Sequence, residues 1–587
     1  MKQFLRLCIS LVTFFCCSLG LHAVNIFVKK TGNDSYSGLS YALAVKNIKR
    51  GLEIANPGDV VLVDAGIYNE RIIMPKSGIA GAYITLTNYN NGLVYVDGSS
   101  GSINSTEPAL LTVNNKSYLK IYNIQFRNNY RADAKGIYLY GAGKEYQISN
   151  CKFYNIGWSN SNTAVPNSTN NANAILVQGS KADSIHTLTI SNNEIYNCVT
   201  GYSESLTITG NVRNFLIESN IVHDNTNIGI DIAGHYSWTQ APAAVNVART
   251  GTVRLNTVYN CVFPQNLDVA SGIYIDGGKD IHIDRNRCFS NGCGISVGCE
   301  VNGFVVNKIQ VRGNVVYNNR YAGILFGSNQ ANSNVTASIV NNNTLYNNHV
   351  DEATYTIYGT EIALQNCSGN TITQNILVPR TTVNVAIGCW NYTQVNNTLK
   401  YNLFWRTNGN TSNLYAGINP DPFAVLGNPT FVAAGTGISA NFHLLTGSKA
   451  INKGNPSFVP GLNELDFDGE ARIQQLRCDI GADETNLLSV LEDEIKERAD
   501  NINVFNDLSV YPNPSSTVID VFTKEPVLSE VRIWNSMGEL VYQTSFHAGQ
   551  SSVSLDCTTW ASGLYALNIQ TIDGQVLTKW VQVLHEP

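Results

Sequence analysis

Short runs of alternating apolar and polar residues recur through the middle of the chain. Four of them share the form Gly-Ile-x-apolar and begin at Gly229, Gly272, Gly294 and Gly323. Such alternation predicts β-strands whose aliphatic side chains point to one face and whose intervening residues point to the other. Because the strands return at intervals of a few tens of residues, we expect a stacked repeat architecture.

Asparagines mark the same repeat, since one follows or precedes a short apolar strand in each unit. Successive markers are separated by 27 to 43 residues. A period of this length with strands inside each repeat predicts an all-β, right-handed parallel β-helix in which equivalent asparagines stack. The series is Asn123, Asn150, Asn193, Asn220, Asn256, Asn286, Asn314, Asn343 and Asn375.

Composition agrees with an all-β chain and narrows the partners. Charged residues make up 14% and the formal net charge is −6, with no basic run. We therefore expect neither nucleic acid nor an anionic membrane surface as partner. After the N-terminus no apolar run is long enough for a transmembrane helix. We also expect a monomer. Thirteen cysteines occur without zinc-type spacing, and most of them are predicted to be small buried hydrophobes.

Changes in pattern divide the chain into five segments. Lys2 and Arg6 precede an apolar run, as in a secretory signal peptide. Asp466 and neighbouring Asp and Gly residues suit turns that close the last coils, an interpretation preferred to calcium binding. The predicted segments are a signal peptide at 1–23, an N-terminal cap and first coils at 24–100, a parallel β-helix with a terminal motif at 101–485, a linker at 486–505, and a C-terminal domain at 506–587.

Two stretches resemble known families. The N-terminal run from Asn25 to Asp34, followed by Pro57-Gly58-Asp59-Val60 and Ala65-Gly66-Ile67-Tyr68, is similar to the cap and first coils of secreted pectate-lyase-like β-helix proteins, including polysaccharide lyase family nine. Tyr511-Pro512-Asn513-Pro514, Val531 to Val541, and Gly563-Leu564-Tyr565 resemble the C-terminal β-sandwich sorting domain of the Bacteroidetes type IX secretion system. The second resemblance implies export by that machinery to the cell surface or beyond.

The outward side chains of the Gly-Ile strands carry the candidate chemistry. Asp231 and Asp276 fall on adjacent coils two residues out of register, so their Cα atoms should lie about 8 Å apart on an open groove. The two residues are either solvated strand residues or functional acids, and because Asp is depleted in strands both interpretations stay open. Glu204, just before the preceding strand, is either a turn residue or a third carboxylate.

Other residues near this groove complete the candidate set. His235 is more typical of a surface turn, and the tyrosines are either ordinary strand residues or flat faces for sugar rings. The candidates are Asp231, Asp276, His235, Lys279 and Arg320 for catalysis; Tyr274, Trp238, Glu300, Tyr138 and Tyr140 for substrate; and Asp231, Asp276 and Glu300 for a metal.

Three functions remain open, with elimination on an acidic polysaccharide slightly ahead. The resemblance to lyase family nine implies calcium held by aspartates and a basic residue, Lys279 or Arg320, as proton acceptor, although this chain lacks that family's run of adjacent aspartates. The expected Asp231 to Asp276 separation instead suits an inverting glycoside hydrolase. A non-catalytic adhesin or glycan-binding protein would tolerate alanine at both positions.

Overall fold

A computed structural model describes residues 23–100, 107–351, 359–380, 385–390, 392–461, 464–485, 508–523, 528–535, 538–571 and 576–585. The chain divides into two compact units, residues 1–486 and 487–587, which are treated separately. The predicted signal peptide at 1–23, except its last residue, and the predicted linker at 486–505 lie outside the described residues.

The first unit is a parallel β-helix built from three long sheets. In the described residues sheet 1 has 16 strands, sheet 2 has 13 and sheet 3 has 12, and within each sheet neighbouring strands come from successive coils. Sheet 1 contains Asn25–Val28, Val60–Val63, Ile84–Asn88, Leu119–Tyr122, Gly143–Ser149, Ile185–Ser191, Val212–Glu218, Arg249–Arg254, Lys279–Asp284, Val305–Arg312, Asn334–Thr336, Ile339–Asn341, Cys367–Ser368, Thr371–Thr373, Gln394–Val395 and Thr398–Lys400. Sheet 2 contains Gly66–Tyr68, Val94–Asp97, Gln125–Tyr130, Lys152–Gly157, Glu194–Tyr196, Ile221–His223, Thr257–Tyr259, Arg287–Phe289, Val315–Tyr317, Thr344–Tyr346, Ile376–Val378, Leu403–Phe404 and Val425–Leu426. Sheet 3 contains Ile72–Ile73, Ala109–Asn114, Ala134–Gly141, Ala172–Gly179, Leu206–Gly210, Ile230–Ala233, Ser271–Asp276, Cys293–Gly298, Ala322–Phe326, Thr360–Leu364, Ile387–Cys389 and Tyr415–Ala416.

The core runs along the axis of the coils. In the strand Ile230–Ala233 both isoleucines are fully buried in the continuous hydrophobic core, so the intervening Asp231 faces away from it. Parallel strands buried on the inner face stack one aliphatic residue on the next, and each coil thus contributes a layer of the core. The α-helix Ile48–Ile54 packs its buried Ile48 and Leu52 at the first coils, as expected for the cap.

An asparagine ladder joins successive coils. The backbone and side-chain N–H groups of Asn193 both donate to Asn220 Oδ1 at 3.0 Å, and each later member repeats the pattern. The ladder ends where Asn402 donates twice to Asp421 Oδ2 at 2.9 Å. Its members are Asn193, Asn220, Asn256, Asn286, Asn314, Asn343, Asn375 and Asn402.

The first two predicted members are not part of the ladder. Asn123 and Asn150 are exposed and have positive φ angles of 55° and 54°. Asparagine tolerates this left-handed conformation, so both residues turn corners. The ladder position follows one residue later, where Cys151 donates its N–H to Asn193 Oδ1. A second, shorter ladder through Asn291, Asn319 and Asn348 ends on Glu361.

An antiparallel pair, Phe431–Ala433 and Asn441–Leu444, and a closing segment, residues 464–485, pack along the outer face of sheet 2, where Phe442 and Ala482 share a core with Tyr317. This lateral packing corrects the expectation that the terminal motif closes the last coils. Asp466 and Asp479 are buried there and accept backbone N–H groups, for example Glu470 N–H at 2.6 Å and Asn452 N–H at 2.6 Å. These contacts agree with the expectation that the acids of the terminal motif hold turns.

The second unit consists of antiparallel sheets. Leu508–Tyr511, Val518–Thr523 and Ser552–Asp556 form one, and Leu540–Gln550, Leu528–Asn535, Gly563–Thr571 and Val576–Val583 form the other, in that order. Val521 and Leu555 of the first sheet share a core with Val531 and Leu567 of the second, which confirms the predicted β-sandwich.

Two expectations about the whole chain are answered by the described residues. All ten cysteines after the signal segment are free and buried, as predicted. No helix among the described residues has the length and apolar character needed to cross a membrane.

Candidate functional site

A cleft of about 440 Å³ lies on the outer face of sheet 3. The successive coils that form its floor contribute Tyr138, Thr207, Asp231 and Tyr274 in one row, because these residues follow one another in register through Leu176. Asp276 belongs to the neighbouring outward row, opposite Ala233. A volume of this size is typical of small-ligand sites.

The structure brings Asp231 and Asp276 together as predicted. They lie on adjacent coils two residues out of register, and both face the cleft. The groove around them is not open, however: their exposures are only 4% and 3%. The loop of residues 235–246 lies over this end of the cleft and produces the difference, since strand alternation gives the direction of a side chain but not what covers it.

The loop is held in a defined conformation by polar contacts. It contains the 3-10 helices Ser237–Thr239 and Ala243–Val245. Asn246 Nδ2 donates to Tyr236 O at 2.9 Å, and Thr239 Oγ1 donates to Asn246 Oδ1 at 2.8 Å. Gln178 Nε2, from the floor, donates to Thr239 O at 3.0 Å and attaches the loop to sheet 3. The side chain of Tyr236 is thereby placed above the acids.

Tyr236 joins two carboxyl groups. Its hydroxyl donates to Asp276 Oδ2 at 2.5 Å and contacts Glu300 Oε2 at 3.3 Å. Because both oxygens contact one atom, they lie at most about 6 Å apart, within the range of paired carboxyls in sugar-cleaving enzymes. The other oxygen of Asp276 accepts the backbone N–H of Glu300 at 2.7 Å. Asp276 is therefore fixed on both sides, while Glu300 is exposed at the rim.

The electrostatics of this pair favour a shared proton. Burial and, after it, the negative charge of Glu300 raise the pKa of Asp276 to about 8, although the hydrogen bond from Tyr236 lowers it. Two adjacent carboxyls resist double ionisation, so the pair titrates as one unit. It can supply one carboxylic acid and one carboxylate at the same time.

Glu204 and Asp231 form a second acidic pair. Glu204 Oε2 accepts the Thr207 hydroxyl at 2.7 Å, and burial raises the pKa of Glu204 to about 7. Burial also raises the pKa of Asp231, and the charge of Glu204 is the next cause. The sequence leaves Glu204 as either a turn residue or a third carboxylate. The structure places it in the cleft lining as the third carboxylate.

The other predicted residues divide between the cleft and its surroundings. Tyr138, Tyr274 and Glu300 line the cleft, and Trp238, 51% exposed, stands at its edge. Tyr140 does not line it but stacks on Tyr138 with ring centroids 4.7 Å apart.

The three predicted basic or histidine groups lie outside the cleft lining. His235 stacks on Phe304, with ring centroids 3.8 Å apart. Lys279 is the exposed first residue of the sheet 1 strand Lys279–Asp284. Arg320 donates a hydrogen bond to Asn266. We therefore correct the expectation that His235, Lys279 and Arg320 share the groove with Asp231 and Asp276, because the chain turns a corner before each of them.

Sequence reasoning missed several residues of the cleft, of which Tyr236 and Lys135 bear most on its chemistry. Tyr236 was hidden because a loop conformation, not a repeat, positions it; its aromatic neighbours in His235-Tyr236-Ser237-Trp238 were the available signal. Lys135 lines the far end, buried, with Nζ donating to Asp133 O at 2.8 Å. Burial lowers the pKa of Lys135.

The predicted calcium ligands Asp231, Asp276 and Glu300 remain a prediction. Among the described residues, the three possible metal-ligand atoms that come within 4.8 Å of one another belong to His443 of the strand Asn441–Leu444 and to Asp468 and Asp483 of the closing segment. They do not belong to the cleft. Calcium prefers six to eight oxygen ligands, so the cleft acids would have to move together to hold it.

Comparison with known proteins places the chain in a class. A model of the right handed beta helix region matches residues 109–298, and a model of the secretion system C-terminal sorting domain matches residues 509–583. The chain is a parallel β-helix protein with a type IX sorting domain, and it is exported to the cell surface or the medium, as the sequence predicted.

A curated relative then defines the family. The chain is 30% identical over 360 residues to the uncharacterized protein YwoF of Bacillus subtilis (strain 168), a match that covers 60% of this chain and 74% of the relative. The chain belongs to the family of YwoF.

Solved structures with a similar fold include pectate lyase Pel9A, which is 16% identical, with a TM-score of 0.43 over 80% of this chain and 98% of the other. A lacto-N-biosidase from Eubacterium ramulus is 12% identical, with a TM-score of 0.43 over 64% of this chain and 67% of the other. These similarities concern the fold.

Proposed function

We propose that this protein is a glycoside hydrolase that cleaves a neutral glycan with retention of configuration, using Asp276 and Glu300. The observation that carries the proposal is the contact of both carboxyls with the Tyr236 hydroxyl, which limits their separation to about 6 Å. Retaining enzymes need about 5 to 5.5 Å, whereas inverting enzymes need more room for a water molecule.

Asp276 has the position of the nucleophile. Its two oxygens accept hydrogen bonds from Tyr236 and from the Glu300 backbone, so the carboxylate is oriented before substrate binds. In the first step an Asp276 oxygen bonds to the anomeric carbon, the glycosidic bond breaks, and the leaving oxygen takes a proton from Glu300.

Glu300 has the position of the acid and base. It stands at the rim, where a leaving group departs and water enters. In the second step Glu300 removes a proton from water, the water oxygen bonds to the anomeric carbon, and Asp276 is released as carboxylate. The pKa of Asp276, about 8, places the shared proton mainly on Asp276 in the free protein. The mechanism therefore requires this proton to pass to Glu300 before attack, and the hydrogen bonds that Asp276 accepts from Tyr236 and from the Glu300 N–H favour the transfer because they lower the pKa of Asp276.

The charge of the cleft favours a neutral substrate. Its lining carries five carboxyl side chains, Asp133, Glu204, Asp231, Asp276 and Glu300, and among the described lining residues one cation, Lys135. An acidic polysaccharide would find one basic group among these carboxyls, and each carboxyl that ionises would repel it unless a cation intervened. This argument reverses the order of preference from the sequence, where elimination on a uronate polymer was ahead.

The roles within the acid set also change from the sequence expectation. The predicted pair Asp231 and Asp276 suited inversion, whereas the pair bridged by Tyr236 consists of Asp276 and Glu300. Glu300 had been predicted as a substrate or metal residue. The backbone N–H of Glu300 bonds to Asp276, and this contact brings the two together.

The test uses the purified exported chain and a panel of neutral oligosaccharides, aryl glycosides, pectate and alginate. We expect new reducing ends from a neutral substrate, and proton NMR should show that the first product has the anomeric configuration of the substrate. Inverted product would contradict the roles of Asp276 and Glu300. An unsaturated uronate product that is lost with EDTA would establish elimination instead.

A further inference from the structure

Asp231 is a buried carboxyl group with one oxygen that lacks a partner. Its side chain lies on the cleft floor and is 4% exposed. Among the described residues, no group forms a hydrogen bond with Asp231 Oδ1. Buried polar atoms in folded proteins are nearly always hydrogen-bonded, and an unsatisfied one destabilises the fold. The oxygen therefore calls for an explanation other than the stability of the fold.

The neighbours of Asp231 are polar groups that leave this oxygen free. Thr207 and Tyr274 flank it in register on the adjacent coils. The Thr207 hydroxyl donates a hydrogen bond to Glu204 Oε2 at 2.7 Å, and Asn173 Nδ2 donates one to Thr207 Oγ1 at 3.0 Å. These hydrogen bonds fix Glu204 and Thr207, so the cleft wall is rigid where Asp231 faces it.

The chemistry of the site selects the kind of ligand group. A sugar hydroxyl both donates and accepts, and it matches a carboxyl in either protonation state. Burial and the charge of Glu204 raise the pKa of Asp231, so this carboxyl is protonated more readily than an exposed one. A protonated carboxyl suits a neutral partner. Tyr274, next to Asp231, offers an aromatic ring to the same sugar.

We propose that Asp231, supported by Glu204, is a specificity-determining residue that binds a ring hydroxyl of the sugar next to the bond cleaved by Asp276 and Glu300. This inference rests on the proposed carbohydrate ligand of the cleft. Asp231 lies one coil from Asp276 and two residues out of register, which puts their Cα atoms about 8 Å apart. Both carboxyl groups line the same cleft, so one bound sugar can contact both.

Binding without turnover tests the proposal. Xylose, glucose, galactose and arabinose are titrated into the full exported chain carrying Glu300→Gln, with ligand-observed NMR as readout. The sugar that binds is then compared with its series of monodeoxy analogues. We expect one analogue to bind about tenfold or more weakly, because it leaves Asp231 unpaired.

Asp231→Leu, which keeps the volume and removes the polar atoms, should abolish that discrimination and leave the losses at other ring positions unchanged. If the leucine variant does not fold, Asp231→Asn carries the test, and it should weaken the discrimination at the same ring position only. Asp284→Asn is the matched control, since Asp284 is a buried carboxyl on sheet 1, outside the cleft lining.

Three results would overturn the proposal: no saturable binding of any of the four sugars, deoxy losses that are equal with and without the Asp231 substitution, or calcium binding that disappears with it. Because turnover is not measured, sugar binding through Asp231 in a chain that hydrolyses no glycan would reject the proposed hydrolysis and leave Asp231 as the residue that selects the bound sugar. Hydrolysis without the Asp231 effect would do the reverse.

Discussion

The β-helix contains two clusters of buried acids, one in the cleft and one in the closing segment, and they differ in their partners. In the closing segment, Asp479 accepts three hydrogen bonds, from Asn452 N–H and from the N–H and hydroxyl of Thr485. Glu484 accepts the Asp479 N–H and pairs with the buried Arg472 at 3.3 Å. In the cleft, Asp231 has an oxygen without a partner among the described residues.

The pKa direction alone does not separate the two clusters. Burial raises the pKa of Glu484 to about 9 and that of Asp276 to about 8. Raised values are common at functional sites, but structural networks produce them too. What distinguishes the cleft is the combination of a cavity with acids whose hydrogen-bonding capacity the fold does not use up.

Glu300→Gln should produce the greatest loss of activity of any substitution in the cleft. In the cleft this change removes the proposed acid and base, and we expect a loss of about 10³-fold or more in kcat on a natural glycan, with Tm nearly unchanged. Steady-state kinetics and thermal unfolding measure the two effects. Glu218→Gln, in the partly exposed Glu218 to Arg254 pair of sheet 1, is the matched control. Equal activity of the Glu300 and Glu218 variants would place Glu300 outside the reaction.

The reciprocal change is Asp479→Ala in the closing segment. It leaves three donors without their acceptor, and we expect the β-helix unit to lose about 2 to 4 kcal/mol of unfolding free energy. Denaturant unfolding measures the loss, while kcat per folded molecule should stay the same. A stable variant with reduced kcat would mean that the closing segment takes part in the chemistry.

Tyr236→Phe tests the role of the Tyr236 hydroxyl in the cleft. The substitution keeps the ring and removes the hydroxyl that joins Asp276 and Glu300. We expect kcat to fall about tenfold with little change in KM, and the pH profile to shift, since the donor to the Asp276 carboxylate is gone. A change confined to KM would show that Tyr236 contacts substrate and does not orient the nucleophile.

The raised pKa of Asp276 also predicts how the stability of the β-helix unit depends on pH. The folded-state pKa of Asp276, about 8, lies above its ordinary value of 3.8. The contribution of Asp276 to the free energy of unfolding is therefore fully present below about pH 4 and is lost as pH rises through 8, because Asp276 ionises more readily in the unfolded chain. Asp276→Asn cannot ionise, so we expect a smaller drop in Tm between pH 5 and pH 8 than in the wild type, measured by calorimetry. An equal drop would show that other groups account for it.

Repetition determined which parts could be predicted from sequence. Alternation and register placed Asp231 and Asp276 correctly on neighbouring coils, because a coil offset translates directly into a strand pairing. The same reasoning misplaced Asn123 and Asn150, since asparagine serves both corners and ladder positions and the pattern does not distinguish them. Tyr236 and the cover over the acids come from the loop at 235–246, whose conformation depends on its own contacts.

The asparagine ladders also imply a direction of growth. Each amide receives from the coil before it and donates to the coil after it, so any asparagine-bearing coil can be followed by another. Asp421 and Glu361 stand at the ends of the two ladders, and a carboxylate has no N–H to pass onward. Both residues end a ladder without ending the solenoid. Duplication of coils ahead of them would lengthen the ladder without an unmatched donor, whereas the coils behind Glu361, at Ile387–Cys389 and Tyr415–Ala416, follow without this amide connection in the described part of the chain.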